Sequence, residues 1–127
     1  MLLDTSFLIE LERELASVRV GSARSFLGGH RSQPVLISVA SVCELAAGMQ
    51  DSATARSFFR RGGFRIVNVF FDLALRAAEL DRALMAAGAR IGEMDTIIAG
   101  TALYYGQPLV TNDSDFDRVT GLRVLHY

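Results

Sequence analysis

Apolar residues fall into two kinds of run along this chain. The first kind is short and continuous: Leu2-Leu3, Val35-Leu36-Ile37, Phe64-Arg65-Ile66-Val67, Leu109-Val110-Thr111 and Leu122-Arg123-Val124-Leu125. Runs of this length and continuity predict buried strands, with the third lying towards an edge. The second kind has helical spacing. Leu8, Leu11 and Leu15 recur at intervals of three and four. Val20, Ala23, Phe26 and Leu27 predict a second helix over 18–27, stopped by Gly28-Gly29. Further helices are predicted over Val39–Met49, Ala53–Arg61 and Asp72–Ala87. In the last of these Leu73, Ala77, Leu80 and Leu84 form one stripe, and Asp72 can pair with Arg76. From Asp95 to Tyr104 the pattern is apolar nearly all round, and Ala99, Gly100 and Ala102 allow close packing. Strands alternating with helices predict an α/β fold on a parallel sheet.

Hydroxyl and acidic residues mark the joints. The first helix is expected to be capped by Thr5 or Ser6, with Asp4 ending the strand before it. Ser38 ends the second strand and caps the helix that follows, and Asp51-Ser52 caps the next. Gly62-Gly63 terminates that helix, whose last turn carries Arg60 and Arg61, suited to the negative end of the helix dipole. Loops are expected at 30–34 and at Gly106-Gln107-Pro108.

The length, 127 residues, predicts one domain spanning the chain. Half the residues are apolar, a surplus that predicts fully buried elements or a partner interface. The single cysteine, Cys43, excludes an internal disulfide and a thiolate metal cluster. It reads as a small core residue. No run approaches the ~18 apolar residues of a membrane span, and no signal peptide is seen, so a cytoplasmic protein is expected. All thirteen basic residues are arginine. Without lysine, a P-loop and Schiff-base chemistry are excluded, as are phosphoaspartate receivers and haloacid-type phosphatases.

Four segments place an acid at a strand end or in the helix after it: Asp4, Glu44, Asp95, and Asp113 with Asp115. Asp4 and Asp95 have an ordinary reading as helix caps, and Glu44 as the far half of a capping box with Ser41. In a parallel sheet, however, all four segments meet at one edge, where open α/β folds bind their ligands. Clustered carboxylates with no lysine nearby call for a hard divalent cation, Mg²⁺ or Mn²⁺. Arg56, Arg60, Arg61 and Arg65 form the densest basic stretch. It is either a solvated face or a footprint for a phosphate backbone.

Taken in order, Leu3-Asp4-Thr5-Ser6, Ile37-Ser38 through Glu44-Leu45, Asp95-Thr96-Ile97-Ile98-Ala99 with Ala102, and Val110-Thr111-Asn112-Asp113-Ser114-Asp115-Phe116 resemble the PIN-domain ribonucleases. Within these they resemble the VapC-type toxins of toxin–antitoxin pairs. The resemblance covers the whole chain. It implies a three-layer α/β/α sandwich around a short, mostly parallel sheet. It also implies Mg²⁺-dependent endonuclease activity on RNA, a homodimer and a cognate antitoxin. By motif match Asp4, Glu44, Asp95 and Asp113 are the catalytic and metal-holding acids, with Asp115 competing for the fourth place. Ser6 and Thr111 match supporting hydroxyls. A non-catalytic PIN-like scaffold holding RNA or protein, and an acid-only phosphatase, are the alternatives.

Overall fold

The computed structural model describes all 127 residues. The strands are β1 (Leu2–Leu3), β2 (Leu36–Ser38), β3 (Arg65–Val67), β4 (Leu109–Val110) and β5 (Val124–Leu125). The helices are α1 (Thr5–Ala16), α2 (Ser22–Gly29), α3 (Val39–Ala47), α4 (Ser52–Gly62), α5 (Phe71–Ala86) and α6 (Glu93–Tyr104), and a 3-10 turn covers Ser114–Arg118. The five strands make one sheet in the order β3-β2-β1-β4-β5. Every pairing is parallel.

Two cores explain why so short a sheet is stable. Successive side chains of a strand point to opposite faces. Leu2, Leu36 and Leu109 therefore join one buried cluster with Leu84, Ile98, Ala99 and Phe116, contributed by α5, α6 and the 3-10 turn. Leu3, Ile37 and Val110 join the other, with Phe7, Leu8, Leu11 and Phe59 from α1 and α4. Helices thus cover both faces, which is the three-layer sandwich. Leu2, Leu3, Ile37, Leu109 and Val110 are completely buried, each worth roughly 1.5–3 kcal/mol of transfer free energy. The apolar runs are continuous because neither face of the sheet meets water.

Packing of α6 bears out the small-residue reading. A methyl group at Gly100 would stand 3.1 Å from the Ala77 side chain on α5. The stripe on α5 is also as predicted, with Leu73, Ala77 and Leu84 buried. Ser38 accepts from the Ala40 N–H, and Asp51 accepts from that of Thr54, as helix caps. Gly63 ends α4 in the left-handed region at φ 64°, a conformation that costs glycine little.

Other boundaries differ. The second helix begins at Ser22 rather than residue 18, and Gly28 and Gly29 form its last turn instead of stopping it. A side chain from α1 sets that start. Gly21 offers no cap of its own, so buried Glu14 supplies one, accepting from Ala23 N–H at 3.1 Å and Arg24 N–H at 2.9 Å. Burial alone would raise the Glu14 pKa, but the N–H donors of Arg24, Ala23 and Gly21 outweigh it and hold the carboxyl below its ordinary value. Asp72 does not pair with Arg76; the surface pairs are Arg90–Asp81, Arg118–Asp115 and His126–Asp117. Cys43 is exposed rather than in the core. Leu8 and Leu11 are buried, whereas Leu15, Val18 and Val20 are exposed at the α1–α2 turn.

Candidate active site

The sheet has one topological switch point. From β1 the chain moves to β2 and β3 on one side, and β4 and β5 lie on the other. Connections diverge there, and a crevice opens at the carboxyl ends of β1 and β4. Asp4 follows β1 and Thr111 follows β4. The Asp4 N–H donates to Val110 O at 3.1 Å, so the two strand ends are stitched together.

Asp4 is almost wholly buried, at 3% exposure, and three donors hold its carboxylate. The Thr5 N–H donates to Oδ1 at 2.7 Å. The Ser6 hydroxyl donates to Oδ2 at 2.5 Å, and the Thr111 hydroxyl donates to the same oxygen at 2.8 Å. Asp4 is therefore itself the N-cap of α1, in place of Thr5 or Ser6. Capping and site roles coincide: the cap bond fixes the carboxylate at the crevice. Thr111 also accepts from the Asp113 N–H at 3.0 Å, tying the fourth acidic segment to the first.

Glu44 lies in the second turn of α3, half-buried, and accepts from the Thr5 hydroxyl at 2.5 Å. Its capping-box reading does not hold, because the buried Ser41 hydroxyl has no partner at all. Thr5 thus positions Glu44, a role that its sequence position beside Asp4 did not reveal.

Asp95 is not the N-cap of α6. Gly92 holds that position and Asp95 sits in the first turn, its carboxylate folded back towards Gly92. A methyl at Gly92 would meet an Asp95 carboxylate oxygen at 2.6 Å, so a side chain there would push the carboxylate aside. The Asp95 carboxyl is pushed above its ordinary value, first by burial and then by the charges of Asp4, Glu44 and Asp113. The four acids thus feel one another electrostatically. None of them is paired with a cation.

The two candidates for the fourth acid have different surroundings. Asp113 caps the 3-10 turn, accepting from the Asp115 N–H at 2.9 Å, and acts on Asp95. Asp115 is paired with Arg118 at 2.9 Å. The four arginines are not at this edge. Arg65 opens β3 at the amino edge of the sheet, and Arg56, Arg60 and Arg61 line an exposed face of α4.

A divalent cation fits this donor set chemically: every side chain offered is an oxygen ligand and the charge is uncompensated. No three carboxylates close on one point tightly enough to grip an ion unaided. Mg²⁺ keeps several waters in its shell, so contact through water satisfies such a site.

Residues 1–122 match the PIN domain family model. The chain belongs to the PIN-domain family. Its fold is similar to that of a chain in the VapBC2 complex from Rickettsia felis bound to a promoter DNA fragment, with a TM-score of 0.81 at 21% identity over 98% of this chain and 96% of that one. The VapBC complex from Salmonella typhimurium bound to DNA gives the same four values. A toxin–antitoxin complex from Klebsiella pneumoniae gives a TM-score of 0.69 at 25% identity, covering 95% and 93% of the two chains. Among curated protein sequences none matches it. In this PIN domain, no helix is long and apolar enough to cross a membrane.

Proposed function

We propose that this PIN domain is a Mg²⁺-dependent endoribonuclease and the toxin of a toxin–antitoxin pair. The observation that carries the reading is the convergence of Asp4, Glu44, Asp113 and Asp95 at the switch point with no cation to balance them. Asp4 and Asp95 would be the principal holders of Mg²⁺ or Mn²⁺, with Glu44 and Asp113 completing the set. When bound, the ion supplies a Lewis acid for a phosphoryl oxygen and lowers the pKa of water. The chain's own residues do the rest. Ser6 and Thr111 keep Asp4 facing the crevice. Thr5 holds Glu44, which with Asp113 orients the attacking water and takes its proton. In-line attack breaks the bond to the 3′ oxygen and leaves a 5′-phosphate and a 3′-hydroxyl. No histidine serves a metal-free route: His30 Nδ1 pairs with Phe26 O, and His126 lies 3.5 Å from Asp117.

The scaffold reading draws on the looseness of the acid set, since no three carboxylates close on a point. Purified protein incubated with total RNA separates the two. Cleavage with Mg²⁺ that stops with EDTA supports the nuclease. Binding without cleavage in either condition supports the scaffold.

The α4 arginines and Arg65 are assigned to phosphate contacts. They are exposed and have no acid partner. Because they sit away from the acids, RNA would run round the α4 side of the sheet to reach the crevice. Replacing Arg56 and Arg60 with Ala is expected to flatten the salt dependence of RNA binding by about one unit of slope per lost contact. An unchanged slope assigns them to a solvated face.

Two partner surfaces support the rest of the reading. A groove of about 900 Å³ runs between α1, α2 and α4, floored by Leu15, Phe58 and Phe64 and rimmed by Arg24, Arg31 and Arg61. It suits an amphipathic antitoxin helix with acidic flanks. A second apolar face, with Phe71, Leu75, Leu103 and Tyr104 exposed beside Arg76 and Glu79, suits a two-fold contact with another copy, because it carries both signs of charge.

A further inference from the structure

Cover on the α1/α4 face of the sheet thins out at β3, the outer strand on one side. Ile66 pairs in register with Ile37 and turns its side chain to the same face. Ile37 is completely buried, whereas Ile66 is 43% exposed. A pocket of about 500 Å³ opens there between α3, α4 and β3, a size that suits a small organic ligand.

Three properties narrow the ligand. Val42, Ala46, Phe59 and Ile66 give the pocket an apolar lining. Arg56 and Arg60, one helical turn apart on α4, add two cations, and no acidic side chain lines it. Neither arginine has an acid partner. The third property belongs to the backbone. Arg65 donates its N–H to Val35 O at 3.0 Å. Ile66, the next residue, therefore turns its own N–H and carbonyl to the open edge, where no further strand pairs.

The ligand these features select has a flat, weakly polar body, a donor beside an acceptor on its rim, and an anionic tail. A nucleotide has all three. Its base carries adjacent donor and acceptor groups, and its π-face stacks on guanidinium planes. An extended peptide would also pair with the edge. But β3 is three residues long, and the single outward pair at Ile66 is enough for a base and too little for a strand.

We propose that the pocket beside β3 is a nucleotide subsite for single-stranded RNA, taking an unpaired base against Ile66 and its phosphate on Arg56 and Arg60. The proposal rests on the RNA reading above and gives it a base-binding step that exposed arginines alone do not supply. β3 lies two strands from β1, about 10 Å at the usual strand spacing, so the subsite and the acids can share one RNA strand.

Wild type with labelled methyl groups is titrated, in EDTA, with adenosine 5′-monophosphate and separately with inorganic phosphate. The nucleotide is expected to shift the Val42 and Ile66 methyl resonances, and phosphate alone to leave them in place. Ala46→Leu fills the pocket and keeps both arginines. It is expected to bind a short single-stranded RNA about tenfold more weakly, with the salt dependence unchanged because no charge is lost. Ile66→Ser, at an exposed position, gives the same readout if Ala46→Leu melts early. Methyl groups that ignore the nucleotide, or respond equally to phosphate alone, overturn the proposal. So does RNA affinity that filling the pocket leaves unchanged, since the arginines are then an electrostatic face only. An acidic peptide that shifts these methyl groups where the nucleotide does not makes the pocket a protein site and equally overturns it. RNA bound through the pocket but left uncut in Mg²⁺ supports the subsite and removes the nuclease reading alone.

Discussion

Replacing Asp95 with Asn is expected to cut the proposed RNA cleavage steeply while making the metal-free protein more stable. The two effects share one cause. Asp95 is partly buried and within reach of the charges of Asp4, Glu44 and Asp113, so ionising it is disfavoured. In the absence of a cation that charge opposes folding. Its folded pKa is raised, so the native state binds the proton more tightly than the unfolded chain does. Its favourable contribution is complete below the unfolded pKa and is lost as pH rises through the folded one. The stability advantage of Asp95→Asn over wild type should therefore grow across that window and level off above the folded pKa. Thermal melts in EDTA at several pH values measure it. With Mn²⁺ the order should reverse. Ligand at a hundred times its dissociation constant would stabilise wild type by about 2.7 kcal/mol, and the variant lacks one of the proposed metal-holding carboxylates. Cleavage in Mg²⁺ should fall by about a hundredfold or more, the scale seen when one preorganised electrostatic group is removed. Equal melting of wild type in Mn²⁺ and in EDTA would sink the shared metal site.

Much of this was legible in the sequence because each acid stands at a punctuated joint. Leu3-Asp4, Val110-Thr111 and Ile37-Ser38 mark the ends of buried strands, and parallel strands bring such ends to one edge. What periodicity could not show was how side chains are shared between elements. Asp4 is both cap and site residue, so choosing between those roles was a false alternative. Asp95 sits three residues into its helix because Gly92, with no side chain, can take the cap position against the carboxylate. Thr5 faces Glu44 across a separation of 39 residues, and Thr111 holds Asp4 across 107. Nothing local signals such contacts. Glu14 was missed for the same reason. It caps a helix other than its own, and with no local cap in the sequence the start of α2 was placed too early. The Leu8-Leu11-Leu15 stripe misled in another way. Spacing identifies the buried face but not where along the helix the cover ends, and here it ends before Leu15.

That exposed end of the stripe carries the last prediction. Leu15 is 51% exposed and floors the groove whose rim holds Arg24, Arg31 and Arg61. A partner helix seated there lies well away from the acids. Leu15 is ten residues into a helix that starts at the crevice, so the groove centre is about 15 Å from Asp4 along the axis. On the proposed reading, an antitoxin seated in the groove would span that distance with an extended tail, which roughly five residues can do. The tail would end on the crevice with an arginine, matching the uncompensated carboxylates by paired hydrogen bonds. Leu15→Glu puts a charge on the groove floor without opening the core. It is expected to weaken the antitoxin by about thirtyfold or more, the scale of a central interface residue, while leaving RNA cleavage intact. Asp95→Asn is expected to do the opposite, keeping the groove and losing cleavage. Co-expression with the protein encoded beside this chain, read as growth and as co-purification, tests both. Growth arrest that the neighbour relieves for wild type but not for Leu15→Glu supports the groove. Equal relief of both, with equal co-purification, would move the antitoxin to another face of the molecule.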